Sequence, residues 1–376
     1  MSLSNTVSAL TRDKFMPILV DNIFNSNVLC FKLLKNAELL DGGAKIITPI
    51  EYAENGNSGW VKPNAGTTYD TGSSAYVALG QAMTEVAQKA EWDWATGYNN
   101  VVLSGEEQFV NSGASQVLSI LKARMANAEK TFKDLIGDGL FASTSVADGL
   151  TTLNGAGSVT SSDYTAVSEL IDTPTDSSLL HAPGDVDDAV CGYNRSLGGI
   201  NSDSQAWWDA KLGSFATILA DGVNNVAPTF AEFTSTTDGV SKGVQKMTQM
   251  YGACTIDGDA PDMIVTTQVI YDAYESSLQG NKRFDGDASL GDAGFQSLRF
   301  KGASVVVDSH VPAGHMYFLN TKYLDFKVHS KRNFAMEDFK PLETKDAIQS
   351  RIFWMGQLVC TNPRMQGLLV GGPTGY

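Results

Sequence analysis

Three side chains that could bind a metal ion lie close together in the C-terminal half of the sequence. Asp308, His310 and His315 surround residues 311–314, which read VPAG. Imidazole nitrogens and carboxylate oxygens are ordinary metal ligands. The Pro and Gly between them are also typical of a turn that joins two strands. The sequence therefore favours a hairpin with half-exposed histidines over a metal site.

Acidic residues occur in two further patterns that could support chemistry. Residues 285–292 read DGDASLGD and resemble a calcium loop, but the glycine of its sixth position and the closing glutamate are missing. An acidic surface turn is the better interpretation. Asp185 and Asp187 could act as paired carboxylates, although they lie in a stretch of weak periodicity. No phosphate-binding, zinc-protease, nucleophile-elbow or dinucleotide motif occurs, so we predict no catalytic, cofactor-binding or metal-binding residues.

Tryptophans could stack on bases or sugars, and five of them are candidates for this role: Trp60, Trp92, Trp94, Trp207 and Trp208. Stacking on nucleic acid also requires interleaved Lys or Arg, which these segments lack. We therefore predict that these rings pack in the core or between subunits.

The stretch from Ser104 to Phe141 organises the elements that must position these side chains, and it reads as one long helix. Its apolar residues recur at steps of three and four, at Val110, Ala114, Val117, Leu121, Met125, Ala128, Phe132 and Leu135. Ser104 can cap the start, and Glu107 completes a capping box. Sustained heptads and flanking charge pairs are missing, which argues against a coiled coil. We expect a helix about 50 Å long, against which sheets pack.

The chain before this helix predicts an arm and a projecting hairpin. Residues 1–43 form an apolar arm that needs a surface to lie on, such as a neighbouring subunit. Residues 44–50 read as a strand, residues 51–74 are rich in turns, and residues 75–94 return as a strand with one aromatic-ended face and one charged face. The two strands and their loop make a two-stranded tongue, which is marginal in water and needs a partner surface.

The chain after the helix alternates between weak and strong patterns. Residues 143–238 are rich in Ser, Thr, Gly and Asp, apart from a helix predicted within 197–215. The run 262–266 predicts a buried strand, and Thr267 then caps a helix. Further strands are predicted at 295–299, 303–308, 316–320, 323–328 and 347–360.

Composition limits the class of protein. The chain has 376 residues, is 43% hydrophobic and carries a net charge of −15, which fits two or three globular domains. No apolar run approaches the roughly 20 residues of a membrane helix, and no secretory signal pattern opens the sequence. The cysteines are scattered, at Cys30, Cys191, Cys254 and Cys360, which suggests reduced, buried thiols in a cytosol.

Charge is distributed unevenly along the sequence. Residues 142–241 contain 13 acidic and only 2 basic side chains, so this module should repel phosphate backbones. No basic arm is present to neutralise nucleic acid.

Three stretches near the C-terminal end carry a family resemblance. Residues 261–284 combine a buried strand with a capped helix. Residues 295–320 place a basic strand, a small-residue turn, a β-branched strand and a Pro-Gly turn before an aromatic strand, and residues 351–369 read as closing strands. Together with the order of arm, tongue, long helix and loop-rich module, they resemble the major capsid protein of tailed double-stranded DNA phages, which has the Hong Kong 97-type coat fold.

This resemblance implies an α+β fold and a division of the chain. The implied parts are an N-terminal arm (1–43), a first part of the peripheral domain (44–142) with an extended loop (51–94) and a spine helix (104–141), an axial α/β domain (143–324), and peripheral return strands with a C-terminal segment (325–376).

The resemblance also implies a function without catalysis. The chain would self-assemble into hexamers and pentamers of an icosahedral shell around the double-stranded DNA genome, be assembled in the host cytoplasm and be located in the virion. Implied partners are copies of itself, a separate scaffolding protein, a portal, a decoration protein and DNA held without sequence-specific contacts, with no membrane and no cofactor. A covalent cross-link of the kind found in some family members would join Lys62 to Asn333 or Asn362.

Two alternatives remain open at this point. One is the shell protein of a cellular nanocompartment with the same fold. The other is a β-rich glycan-binding protein or hydrolase that uses aromatic subsites and paired carboxylates.

Overall fold

The computed structural model describes residues 28–54, 57–58, 85–110, 120–141, 152–154, 189–191, 196–201, 205–208, 210–215, 229–234, 236–237, 240–278, 298–342 and 344–376. The α-helices in these residues are α1 (Val28–Lys35), α2 (Gly105–Val110), α3 (Ile120–Leu140), α4 (Phe230–Thr234), α5 (Lys242–Ala253) and α6 (Gln268–Ser277). The strands are β1 (Glu38–Leu40), β2 (Ile46–Glu51), β3 (Ala87–Trp92), β4 (Ala95–Ser104), β5 (Thr152–Asn154), β6 (Ala189–Cys191), β7 (Ser196–Leu197), β8 (Ile200–Asn201), β9 (Lys211–Ser214), β10 (Thr236–Thr237), β11 (Val240–Ser241), β12 (Met263–Thr266), β13 (Leu298–Phe300), β14 (Ala303–Val307), β15 (Met316–Leu319), β16 (Leu324–His329), β17 (Ala335–Met336), β18 (Lys340–Pro341), β19 (Ala347–Cys360) and β20 (Gly367–Val370).

The longest strand, β19, organises a six-stranded sheet, which we call the long-strand sheet (β1, β4 and β16–β19). β4 runs antiparallel to β19, from Ser104 opposite Ala347 to Ala95 opposite Gly356. β16 pairs antiparallel with the end of β19, and β1 adds to β16 in parallel. Buried and exposed residues alternate along much of β4, so one face of the sheet contacts the protein and the other contacts solvent.

A second six-stranded sheet, the buried sheet, has the strand order β13-β14-β12-β15-β20-β9. Every residue of β12, β15 and β20 is buried, as expected for strands that are covered on both faces. One face packs on α5 and α6, and the other joins the hydrophobic cluster beneath α1 and α3. Because β20 belongs to this sheet, the chain leaves the long-strand sheet after β19 and finishes in the buried sheet.

α3 covers the inner face of the long-strand sheet beside β4. A Cβ atom on Gly97 would lie 2.9 Å from Cζ of Phe132, so only glycine leaves room for this ring. The side-chain amide of Asn99 donates to the Ala128 carbonyl at 3.0 Å. Packing and hydrogen bonding thus both hold the helix against β4.

The predicted helix over 104–141 is confirmed from Ile120 to Leu140, but its start differs. Ser104 ends β4, α2 follows it, and residues 111–119 lie outside the described residues. The Ser104 backbone N–H donates to Glu107 Oε2 at 3.3 Å, which is half of the expected capping box. No sequence pattern predicts β4, because the segment GYNN interrupts its apolar alternation.

The described part of the arm lies on its own chain. Val28, Leu29, Cys30 and Leu33 of α1 are buried in the main core, and Lys32 Nζ contacts Asp262 Oδ2 at 2.7 Å. The described part of the arm therefore finds the surface that it needs on its own chain and not on a neighbouring subunit. Residues 1–27 lie outside the described residues.

Candidate assembly surfaces

Large exposed apolar side chains concentrate on one part of the described structure. They are Phe31, Leu39, Ile47, Tyr98, Val102, Leu135, Met336 and Tyr376. All except Tyr376 belong to α1, α3, the tongue or the long-strand sheet. Exposed apolar groups can mark surfaces that bind another protein, so these elements are the candidate assembly surfaces.

The outer face of the long-strand sheet carries two of these side chains, Tyr98 and Val102. Tyr98 lies opposite Phe353, and Thr96 lies opposite Met355. Directly paired residues point to the same face, so both pairs share this side. Tyr98 is 68% exposed, and the Arg332 guanidinium lies 5.0 Å from the centroid of the Phe353 ring. An aromatic and Arg-rich surface of this kind is typical of protein interfaces.

The two-stranded tongue is confirmed at its root. β2 and β3 pair antiparallel, with Ile46 opposite Trp92. Ile46, Ala90 and Trp92 are buried, whereas Ile47 is 57% exposed. The predicted alternation of an apolar and a charged face is therefore confirmed over β3. Most of the tip lies outside the described residues.

The chain itself supplies part of the surface that the tongue needs. The Glu91 backbone N–H donates to the Gly198 carbonyl at 2.8 Å, in the turn between β7 and β8. Gly198 has φ of +60°, and a Cβ atom there would lie 3.0 Å from the Trp92 ring. The glycine permits both the turn and the close approach of the ring.

Aromatic side chains gather beside the tongue root. Tyr52 and Trp207 stack with ring centroids 4.8 Å apart, and buried Trp208 donates its Nε1–H to the Leu197 carbonyl at 2.9 Å. The prediction that the tryptophans pack in the protein is confirmed for Trp92 and Trp208. The helix predicted around Trp207 and Trp208 is wrong, because these residues form a single 3₁₀ turn between β8 and β9.

A cleft of about 320 Å³ opens beside this aromatic group, with Glu51, Asp257 and Asp259 on its wall. Asp259 Oδ2 accepts from Lys322 Nζ at 2.8 Å and from the Tyr323 hydroxyl at 2.7 Å. These two hydrogen bonds lower the pKa of Asp259. The carboxylate is therefore engaged within the chain rather than poised to exchange a proton, and the cleft gives no support to the hydrolase alternative.

The histidine pair is placed differently from the expectation. The His310 side chain is only 7% exposed and His315 is also 7% exposed, so the prediction of half-exposed histidines is wrong. The predicted hairpin is also wrong, because β14 and β15 both pair with β12 and not with each other. His310 contacts Asp308 and also Asp134 of α3, a partner that no local sequence signal indicates. Burial is the main cause that lowers the pKa of His315.

The described residues contain no group of three or more His, Cys, Asp and Glu side chains arranged to hold a metal ion. In the same residues, no helix combines the length and apolar character needed to cross a membrane. Cys30, Cys254 and Cys360 carry buried thiols that form no disulfide, and burial raises the pKa of each thiol to about 12. The calcium-like loop 285–292, Asp185, Asp187, Trp60 and Lys62 lie outside the described residues.

Comparisons with known proteins identify the fold. No family model matches the sequence, and no curated protein matches it. Among solved structures, a subunit of the cyanophage A-1(L) capsid is 17% identical with a TM-score of 0.60, and the match covers 98% of this chain and 99% of that one. The capsid of a native GTA particle is 12% identical with a TM-score of 0.55, covering 99% and 100%. The chain has the Hong Kong 97-type coat fold.

The coat fold accounts for the order of elements and confirms the predicted α+β class. A third match within this fold is an encapsulin from Synechococcus elongatus, 9% identical with a TM-score of 0.50, covering 100% of this chain and 98% of that one.

Proposed function

We propose that this chain is the major capsid protein of a tailed double-stranded DNA phage, with a structural role and no catalysis. The observation that carries the proposal is the end-to-end likeness to a phage capsid subunit, which covers 98% of this chain and 99% of that chain. In this role the chain forms hexamers and pentamers that close into an icosahedral shell. Its location is the virion, after assembly in the host cytoplasm.

The exposed apolar surfaces support self-assembly on physical grounds. Tyr98 on the long-strand sheet and Ile47 on the tongue are both more than half exposed, and contact with another copy would remove them from water. Each such contact is weak alone, but a closed shell repeats it many times, and repeated contacts reinforce one another.

The same role accounts for the charge of the chain. A net charge of −15 disfavours tight binding to phosphate backbones, so the shell would hold DNA that is brought in by a portal, without sequence-specific contacts. We propose a separate scaffolding protein and a decoration protein as further partners. A strong, salt-sensitive affinity of the purified coat for duplex DNA would contradict the DNA part of this proposal.

We also propose that the buried sheet belongs to the axial domain (143–324) and that the long-strand sheet and α3 belong to the peripheral domain. β20 is then an exception, because residues 367–370 pair with β15 of the buried sheet. A map of the assembled shell would test this division by showing which sheet lies at the fivefold and sixfold axes.

The direct test is to express the full chain and examine it by electron microscopy and sedimentation velocity across a range of concentrations. We expect shells or rings of five and six subunits. A stable single subunit at every concentration would overturn the proposal.

The encapsulin likeness supports a second candidate, the shell of a cellular nanocompartment. Both candidates predict shells, so the contents must distinguish them. Particles purified from the natural source should contain nuclease-protected DNA if the chain is a phage coat protein, and a protein cargo if it is a nanocompartment shell.

A further inference from the structure

His310 sits between two parts of the structure that are far apart in the sequence. It follows β14 of the buried sheet, yet its Nε2 lies 2.7 Å from Oδ1 of Asp134 on α3. Its Nδ1 lies 2.8 Å from Oδ1 of Asp308, in its own turn. Asp138, one helical turn after Asp134, is 3.6 Å from the same Nε2.

The pairing favours one protonation state of the ring. An ionised carboxylate can only accept hydrogen bonds, so with Asp308 and Asp134 ionised each ring nitrogen of His310 carries a hydrogen that it donates. An imidazole with both nitrogens protonated is a cation. We propose that His310 is a protonated clamp that locks the spine helix α3 to the buried sheet and that releases when the ring loses its proton.

Burial of Asp308 strengthens this assignment. The Asp308 side chain is 0% exposed, and a buried carboxylate is tolerated when a cation pairs with it. Its Oδ1 accepts from His310 Nδ1 and from the His310 backbone N–H at 3.1 Å. Its Oδ2 has no hydrogen-bond partner. The positive charge of His310 thus compensates a carboxylate that solvent cannot reach.

Charged and titratable groups from the neighbouring elements determine the electrostatic potential at His310. α3 contributes Asp134 and Asp138, and its Lys133 carries an opposing positive charge that is paired with Glu129. α1 contributes the buried Cys30 thiol, whose pKa is raised mainly by burial and further by the charge of Asp308. His315, in the same turn, is turned to the Ala313 carbonyl at 2.9 Å and takes no part in the clamp.

These groups set the pH range of the clamp. Hydrogen bonding to Asp308, with a further contribution from Asp134, raises the pKa of His310 from 6.5 to about 9. A folded-state pKa above the unfolded value stabilises the protein fully below the unfolded pKa. That stability is lost as the pH rises through the folded pKa, so the clamp holds at neutral pH and opens near pH 9.

The first test measures the ring directly. Exchange of the imidazole C2 hydrogen, followed by mass spectrometry over pH 5 to 11, reports the pKa of each histidine in the full chain, whether or not it has assembled. We expect a His310 midpoint near 9, well above the ordinary 6.5 of a free histidine. A His310 midpoint below 7 would overturn the proposal, and this outcome is independent of whether shells form.

Two variants separate the clamp from simple packing. Asp134→Asn removes the charge that Nε2 faces, so the His310 midpoint should fall by about one pH unit. Asp138→Asn removes a more distant charge and should lower it less. His310→Gln should raise the unfolding constant by roughly 10- to 100-fold at pH 6, and partial solvation of Asp134 keeps the effect within this range. The difference between the variant and the unmodified chain should shrink at pH 10. A loss of equal size at both pH values would show that the side chain only packs.

Discussion

The two six-stranded sheets of this chain differ in how much of their surface the chain itself covers. The buried sheet is covered on both faces by its own chain, with α5 and α6 on one side and the α1 and α3 cluster on the other. The long-strand sheet is covered by α3 on its inner face, while its outer face leaves Tyr98 at 68% and Val102 at 39% exposure.

This difference indicates which part of the subunit is covered by its own chain and which part leaves apolar side chains exposed. A sheet covered on both faces gains its stability from the folding of one chain, so it can act as a rigid body. A sheet with an apolar outer face gains more stability when a second surface covers it. If the chain assembles as we propose, the comparison predicts that the buried sheet stabilises the single subunit and that the long-strand sheet and the tongue contact other copies.

The largest expected effect comes from the centre of the buried sheet. Phe318 lies in β15 and is 0% exposed, so Phe318→Ala removes a packed ring and leaves a cavity. We expect a loss of about 3–5 kcal/mol in the free energy of unfolding, measured by urea denaturation of dissociated subunits. Phe31→Ala is the matched control, because Phe31 is 49% exposed on α1, and it should change stability by about 0.5 kcal/mol or less. Equal losses in the two variants would contradict the comparison.

A smaller loss is expected where α3 meets the long-strand sheet. Gly97→Ala places a Cβ atom 2.9 Å from Cζ of Phe132, so the ring and helix must shift, at a cost of about 1–3 kcal/mol. The control is Gly252→Ala in α5, where no atom lies within 4 Å of the new Cβ. That variant should gain about 0.5–1 kcal/mol, since alanine favours a helix. A neutral Gly97→Ala would show that α3 is not tightly seated.

The ion pair between Lys32 of α1 and Asp262 should contribute less to stability than the packing contacts of Phe318 and Gly97. Lys32 Nζ lies 2.7 Å from Asp262 Oδ2, with the two side chains 25% and 42% exposed. Partly solvated ion pairs are weak, so Lys32→Met should cost about 0.5 kcal/mol at low salt. The effect should diminish in 1 M NaCl because salt screens the pair. Lys35→Met provides the comparison, because Lys35 lies on the same helix and makes no ion pair with Asp262 in the described structure. An equal loss there would show that general charge rather than this contact matters.

Sequence patterns predict the regular parts of the fold well. The β-branched run at 262–266 becomes β12, the segment 347–360 becomes β19, and the alternation before Trp92 becomes β3. Each of these strands has a continuous apolar face, so local periodicity is enough to identify it. The coat fold follows from the order of such elements rather than from one motif.

Contacts between distant parts of the chain could not be predicted in the same way. β4 contains Gly97 because Phe132 of α3 needs the space, and nothing near Gly97 in the sequence shows this. The clamp at His310 depends on Asp134, which is 176 positions away. A local pattern indicates a turn there, but burial and charge pairing are set by the tertiary packing.

Replacing Tyr98 should have the smallest effect on folding and a large effect on assembly. Tyr98 is 68% exposed on the outer face of the long-strand sheet, so Tyr98→Ser should change the free energy of unfolding of the subunit by about 0.5 kcal/mol or less. If another copy covers this face, loss of an aromatic contact worth about 2 kcal/mol should raise the concentration needed for assembly by roughly 30-fold. Light scattering against subunit concentration measures this shift. Tyr376→Ser is the control, because Tyr376 is 79% exposed but packs on Phe230 beside the buried sheet's helices, and it should leave assembly unchanged. If Tyr98→Ser assembles like the unmodified chain, the outer face at Tyr98 is not an interface.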